Sequence, residues 1–122
     1  MIDSKATLYE TLGGEAAFET AVEIFYNKVL SDDLIKDYFA ETNMTQQKKH
    51  QKNFLMMACG GPNLYQGKDM RSAHIKMNLQ DVHFDAVVNH LVSTLKELNV
   101  NADAIQQVVA KVETLRNEIL NR

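Results

Sequence analysis

The chain has 122 residues, 45% of them hydrophobic, and carries a formal net charge of −3. A chain of this length fits one domain and can bury a core without a metal ion or a disulfide to stabilise it. We therefore expect residues 1–122 to form a single domain, with residues 1–6 as an N-terminal extension. Its lysines are dispersed and form no basic stripe suited to a phosphate backbone, so we expect no binding to nucleic acid.

The cysteine content and the apolar runs indicate the compartment. Cys59 is the only cysteine, which excludes an intrachain disulfide and C-x-x-C redox chemistry. The longest apolar run, residues 54–59, has six residues, whereas a helix needs about 20 to cross a bilayer. Residues 1–10 show no signal-peptide pattern. We therefore expect a cytoplasmic protein with no membrane insertion.

Helical periodicity begins after the glycine pair Gly13-Gly14, which marks a turn. The first apolar stripe predicts a long helix and consists of Ala17, Phe18, Ala21, Val22, Phe25, Tyr26 and Val29. A shorter helix is predicted over residues 32–40, with Ser31 or Asp32 as its N-cap. Both helices are expected to face one core.

The third predicted helix has signals at both ends. Asn43 and Gln46 resemble a capping box, and Gly60-Gly61-Pro62 ends the helix. A loop over residues 61–69 then leads to a short helical segment around His74.

Two long apolar stripes complete the chain. The first consists of Phe84, Val87, Val88, Leu91, Leu95 and Leu98, and the second of Ile105, Val108, Val109, Val112, Leu115 and Ile119. Asn99 ends the first helix, and Asn101 caps the second. Since no stretch alternates convincingly with period two, we predict an all-α fold of about four substantial helices and two short ones.

A polar cluster interrupts the third helix. By helical periodicity one face carries Gln47, His50, Gln51, Phe54, Leu55 and Ala58, and the neighbouring Lys48, Lys49, Lys52 and Asn53 are placed on other sides. The amides could simply turn toward solvent where the core tapers. If they face inward instead, they need hydrogen-bond partners.

His74 is placed on the apolar face of its segment by Met70, Ala73 and Met77. A histidine in such a place is more often a satisfied core residue than a ligand, although a second inward polar cluster favours a metal site. None of the four histidines has another four residues away or a glutamate three residues before it, so zinc and di-iron helix motifs lack their spacing. His83 and His90 are interpreted as surface or boundary residues.

Tyr26 could be a core tyrosine whose hydroxyl reaches water. If it shares a cavity with Gln47 and Gln51, these three side chains offer hydrogen-bond donors to a small polar ligand. Phe25, Phe39 and Phe54 would form the apolar walls. The sequence then predicts a pocket for a diatomic gas.

Two runs carry a family resemblance: TLYETLGGEAAFETAVEIFYNKVLSDDLIKDYFAETNMTQQKKHQKNFL and GGPNLYQGKDMRSAHIKM. Their motifs are Gly13-Gly14, Phe25-Tyr26, Phe39, Gln47 with Gln51, Gly60-Gly61, and His74 within M-R-x-A-H. From residue 7 to about residue 121 the chain resembles the group I truncated haemoglobins of bacteria, cyanobacteria, ciliates and algae. The resemblance implies a truncated globin fold, a two-over-two helical sandwich around non-covalent haem b.

The same resemblance implies the site. His74 is expected to ligate the haem iron on the proximal side, and Tyr26 to be the chief hydrogen-bond donor to dioxygen. Gln47 and Gln51 would assist Tyr26, and Phe39 would contact the porphyrin. His50 has two alternatives of comparable weight: it ligates the iron from the distal side when no gas is bound, or it points outward toward a haem propionate.

The remaining cofactor contacts are predicted by position. Candidates at the propionates are Lys49, Lys52, Tyr65, Lys68 and Arg71, and candidates in the pocket lining are Phe54, Leu55, Met70, Met77, Phe84, Val88 and Leu91. No histidine follows His90, so the covalent haem link to a final-helix histidine of some cyanobacterial relatives cannot form.

The resemblance predicts a monomer that binds dioxygen, nitric oxide and carbon monoxide, with no catalytic residues assigned. The alternative function is nitric oxide dioxygenation. That reaction needs a separate reductase, because the chain has no G-x-G-x-x-G dinucleotide fingerprint. A third hypothesis is a haem-free helical interaction module.

Overall fold

The structure is a computed structural model that describes residues 7–62 and 79–120. Its helices are α1 (Leu8–Leu12), α2 (Gly14–Val29), a 3₁₀ helix (Lys36–Phe39), α3 (Met44–Ala58), α4 (Asp81–Glu97), α5 (Ala102–Glu113) and α6 (Arg116–Ile119). Every regular element in these residues is helical, which confirms the predicted all-α class. None of the helices within these ranges has the length and hydropathy to cross a membrane.

Helix α2 is central to the packing. It contacts α1, α3 and α4, while α5 packs against α4 and α1. The fully buried side chains at the centre of the core are Val29, Ile35, Met56 and Thr94. These come from α2, the turn after it, α3 and α4, so the core joins the first half of the chain to the second.

The predicted helix ends are observed at three places. Asn43 Oδ1 accepts a hydrogen bond from the backbone N–H of Gln46 at 3.2 Å, and Asn101 Oδ1 accepts one from Ala104 at 2.8 Å. Gly13, between α1 and α2, has a φ of 114° that side-chain-bearing residues rarely adopt. The N-caps and the first glycine turn were therefore predicted correctly.

The predicted helix over residues 32–40 is wrong. Residues 30–34 form turns, and only Lys36–Phe39 is helical, as a 3₁₀ helix. The Asp32 carboxylate accepts a hydrogen bond from the backbone N–H of Leu34 at 2.9 Å, which favours a turn at the expected helix start.

The last predicted helix is interrupted. α5 ends at Glu113, and the short helix α6 begins at Arg116. The Thr114 hydroxyl donates to the carbonyl of Lys111 at 2.6 Å, and the N–H of Leu115 donates to Val112, three residues back. These bonds tighten the chain locally and end the α-helical ladder.

The face that α3 buries also differs from the prediction. Its buried residues are Leu55 and Met56, followed by Cys59 just beyond its end. Lys48 and Lys52 were placed on other sides of the helix, but they contact carboxylates on α2. Leu55 and Gln47 of the predicted inward face do face the interior, but Lys48 and Lys52 lie at the interface with α2 rather than away from it.

Arg116 organises the contact between α4 and the end of the chain. Its guanidinium donates to Asp81 at 2.8 Å, to Asp85 at 2.6 Å and to Glu113 at 2.9 Å, and it lies 4.3 Å from the centre of the Phe84 ring. The three carboxylates hold the pKa of Arg116 above its usual value, with Glu113 the largest contributor. The side chain thus connects α4, α5 and α6.

We expect Arg116→Ala to lower the free energy of unfolding by about 1–2 kcal/mol, since half-exposed ion pairs contribute less than about 1 kcal/mol each and the cation–π contact adds a similar amount. Arg116→Lys keeps the charge but loses the fork of donors, so it should fall between Ala and the native chain. Urea unfolding followed by circular dichroism measures both. Equal stability of all three proteins would contradict this role.

Candidate functional site

Tyr26 is the most buried polar side chain of α2. It continues the apolar stripe of Phe18, Val22 and Phe25, and only 2% of it is exposed. Its ring makes edge contacts with Phe25, at 5.0 Å between centroids, and with Phe39 of the 3₁₀ helix, at 5.7 Å. The phenol is therefore held between apolar rings in the interior.

Gln47, at the beginning of α3, is the hydrogen-bond partner of Tyr26. Its side-chain Nε2 donates to the Tyr26 hydroxyl oxygen at 2.9 Å. Because the oxygen accepts this bond, the hydroxyl keeps its own proton for another acceptor. No residue in the ranges 7–62 and 79–120 is seen to accept that proton. The pair can thus act as a hydrogen-bond donor to a small ligand.

Burial raises the pKa of Tyr26 to about 12, although the hydrogen bond from Gln47 opposes part of this rise. The cost of burying a phenolate is the cause, because the apolar surroundings disfavour the charged form. Tyr26 therefore stays protonated, and remains a donor, throughout the physiological pH range.

The raised pKa predicts how stability depends on pH. Tyr26 ionises near the ordinary tyrosine pKa of 10.0 in the unfolded chain and near 12 in the folded chain, so stability from the neutral phenol is complete below pH 10 and is lost between 10 and 12. We expect native and Tyr26→Phe proteins to differ by a constant amount below pH 10. From pH 10 to 12 the native protein should lose roughly 2–3 kcal/mol more than the variant. Urea unfolding across this range measures it, and parallel curves would contradict the raised pKa.

The other polar residues predicted on α3 are placed differently from one another. Gln51, one turn after Gln47, is half-buried, whereas His50 is exposed. His50 therefore lies on the solvent side of α3, and both of its alternatives stay predictions.

The predicted apolar lining residues are partly observed. Phe39, Phe54 and Val88 are half-buried, and Leu55 and Leu91 belong to the core cluster. Phe84 is buried, with the Arg116 guanidinium over its ring. Of these residues, Phe39 contacts the Tyr26 ring and offers an apolar surface beside the donor pair, and the pocket roles of the others stay predictions.

Several predicted residues lie outside the described ranges: His74, Tyr65, Lys68, Met70, Arg71 and Met77. Their roles remain predictions. Of the other propionate candidates, Lys49 is exposed. Lys52 contacts Glu15 and Glu19 of α2, and its place at a propionate stays a prediction.

His83 and His90 lie at the boundary between core and solvent, as expected. His90 Nε2 is 2.7 Å from a carboxylate oxygen of Asp32, and this contact holds the pKa of Asp32 below its usual value. His83 has an edge contact with the Tyr38 ring. Both histidines thus join α4 to the segment between α2 and α3.

The sequence reasoning missed the ion pairs between α2 and α3. Glu15, Glu19 and Glu23 repeat every fourth residue on one helix, and Lys48 and Lys52 do so on the other. Matching spacings of opposite charge on consecutive helices could have indicated an interface. The apolar stripe alone assigned the lysines to solvent.

The fold and this geometry define a class of protein: a helical bundle that presents a protonated phenol and an amide to a small ligand in an apolar interior. Residues 7–121 match the family model described as Bacterial-like globin. The group 1 truncated hemoglobin of Tetrahymena thermophila is 49% identical over 95% of this chain and 96% of its own length. That of Synechocystis sp. is 45% identical over 96% and 99%.

Solved structures agree. Truncated hemoglobin of Tetrahymena pyriformis in its Fe(III) form aligns with a TM-score of 0.92 and 48% identity, covering 94% of this chain and 98% of that one. The 2/2 hemoglobin of Synechococcus sp. PCC 7002, in the cyanomet state with covalently attached heme, aligns with a TM-score of 0.91 and 49% identity over 96% and 100%. The chain belongs to the group 1 truncated haemoglobins of the bacterial-like globin family, and the predicted two-over-two fold is confirmed.

Haem is the cofactor of this family and of this chain. The residues present fit it, because Phe39 and Phe54 offer apolar contact surface while Tyr26 and Gln47 supply donors. A covalent link from haem to a final-helix histidine cannot form in this chain, since no histidine follows His90. The haem is therefore of the non-covalent b type.

Proposed function

We propose that this protein binds dioxygen and other diatomic gases reversibly, with His74 as the proximal iron ligand and Tyr26 as the donor that stabilises dioxygen. Haem supplies a ferrous iron to which such gases bind. The observation that carries the proposal is the Gln47–Tyr26 hydrogen bond, in which the amide donates to the hydroxyl oxygen at 2.9 Å. It directs the phenol proton away from Gln47 and toward a further acceptor.

The donor discriminates between gases. Dioxygen gains partial negative charge when it binds ferrous iron, whereas carbon monoxide remains nearly neutral, so the Tyr26 hydroxyl stabilises dioxygen more. A hydrogen bond to a charged acceptor is worth about 1.5–3 kcal/mol, or roughly ten- to a hundredfold in affinity. Most of that effect should appear in the dissociation rate. Slow release of dioxygen is the expected property.

The glutamines have separate tasks in this proposal. Gln47 fixes the Tyr26 hydroxyl oxygen, so that the proton is aimed before the ligand arrives. The half-buried Gln51 is one turn further along α3 and provides a second amide near the ligand. Such a prearranged donor set loses little rotamer entropy when the ligand binds.

We expect Tyr26→Phe to raise the dissociation rate of dioxygen by about ten- to a hundredfold, because the ring stays and only the donor is removed. The rate for carbon monoxide should change less than about threefold. Stopped-flow displacement measures both rates. Tyr38→Phe is the matched control, since Tyr38 is half-buried and its ring contacts His83. Equal changes for both gases in Tyr26→Phe would refute the role of Tyr26 as a selective donor.

The proximal assignment predicts a spectroscopic result. In His74→Ala the sharp Soret band of ferric, reduced and carbon monoxide-bound protein should be lost or broadened, because haem iron in globins needs a histidine from the protein. His83→Ala, which changes a histidine at the boundary of the core, should keep the native spectra. Unchanged spectra in His74→Ala would show that another residue ligates the haem iron.

The reduced spectrum also decides between the two positions of His50. A high-spin reduced form is expected from its exposed position. A low-spin form that becomes high-spin in His50→Ala would instead show that His50 ligates the iron in the absence of gas.

The same donor pair supports a second function, nitric oxide dioxygenation, because that reaction starts from dioxygen held in this pocket. Its overall balance is one nitric oxide, one dioxygen and one electron giving one nitrate. A separate reductase must supply the electron. We also propose that the protein works in the cytoplasm and as a monomer. Mixing the oxygenated protein with nitric oxide, with and without a reductase, separates the two functions. Repeated turnover to nitrate would show dioxygenase activity. If no repeated turnover occurs, the function is gas binding alone.

A further inference from the structure

Ion pairs join α3 to α2 beside the donor pair. Lys52 Nζ lies 2.9 Å from a carboxylate oxygen of Glu15 and 3.5 Å from one of Glu19, and Lys48 Nζ lies 3.1 Å from one of Glu23. The Lys52 side chain is only 15% exposed. We name Lys48 and Lys52 the lysine clamp.

The clamp follows the two distal amides along α3. Lys48 is the residue after Gln47, and Lys52 is the residue after Gln51. Residues four apart on a helix lie one above the other, so the two lysines form one row along α3. Because a helix is stiff over this length, a shift of that row away from α2 also moves the amides.

In the part of the chain that the structure describes, the half of α3 that carries the donors has no buried side chain, although the half-buried Met44 packs against the core. The buried residues of α3 are Leu55 and Met56, both in its C-terminal half. Among the described residues, the observed polar contacts of α3 to α2 are the Gln47–Tyr26 hydrogen bond near its beginning and the ion pairs of Lys48 and Lys52 further along. The position of the N-terminal half of the helix therefore depends on these polar contacts together with the half-buried Met44.

We propose that Lys52, assisted by Lys48, is a positioning residue that sets the distance between α3 and α2 and thereby holds Gln47 on the Tyr26 hydroxyl. This inference rests on the proposed gas-binding function, and it adds that the two lysines slow the dissociation of dioxygen. The Glu15 carboxylate raises the pKa of Lys52, so Lys52 keeps its charge at neutral pH. Neither lysine needs to touch the gas.

The test compares haem-loaded Lys52→Met with Lys28→Met. Lys28 forms an ion pair with Glu97 that joins α2 to α4 rather than to α3. Lys28→Met therefore removes an ion pair of α2 but no contact between α2 and α3, and it controls for a general loss of stability. We expect Lys52→Met to raise the dissociation rate of dioxygen about two- to fivefold, which is what one or two half-exposed ion pairs can support. The rate for carbon monoxide, and both rates in Lys28→Met, should stay within about 1.5-fold of native.

A second variant reverses the charge of Lys52 instead of removing it. Lys52→Glu should release dioxygen at least as fast as Lys52→Met, since three carboxylates would then face one another. Combining it with Glu15→Lys and Glu19→Lys restores opposite charges and should return the rate toward the native value. In the carbon monoxide complex, the C–O stretching band should gain a higher-frequency component in Lys52→Met, as expected when a donor leaves the ligand. A simple loss of stability would not produce it.

Two results would overturn the proposal: an unchanged dioxygen rate in both Lys52→Met and Lys52→Glu, or equal rises in Lys52→Met and Lys28→Met. Tyr26→Phe is measured in the same series. If it too leaves the dioxygen rate unchanged, the proposed function fails; if it raises the rate while the Lys52 variants do not, only the clamp fails.

Discussion

The hydrogen bond from Gln47 to Tyr26 is the interaction on which the interior of this protein depends. A phenol with 2% of its surface exposed needs a partner, and the partner comes from the next long helix. The bond therefore satisfies a buried hydroxyl, ties α2 to α3 and sets the direction of a proton. Structural and functional requirements meet in the same two side chains, so a substitution of either one changes both.

The two ends of α3 are held in place by different kinds of contact. Leu55 and Met56 anchor its C-terminal half in the core, whereas its N-terminal half combines polar contacts with the half-buried Met44. Apolar burial contributes much of the free energy of folding but does not depend on orientation. Hydrogen bonds and ion pairs contribute less, but they fix the relative positions of the groups they join. Directional contacts thus fix the end of α3 that carries Gln47, while apolar burial anchors its other end.

The sequence predicted the long helices because their apolar stripes repeat with the helical period, as in α2 and α4. It failed where side chains bond to the backbone, at Asp32 and at Thr114, since these bonds end a helix without disturbing the apolar pattern. The site residues were predicted through the family resemblance, and the structure supplied the direction of the Gln47–Tyr26 bond. The ion pairs of Lys52 were missed because pairing between helices depends on their relative rotation, which a stripe does not specify.

Cys59 closes the C-terminal end of α3 and lies in the core, where burial raises the pKa of its thiol to about 11. The thiolate is the form that reacts with peroxide and with electrophilic nitrogen oxides. At neutral pH fewer than about one molecule in a thousand carries that form, given a pKa several units above the pH. In the proposed function the protein would meet both kinds of oxidant, and the buried position of Cys59 keeps its sulfur in the unreactive thiol form.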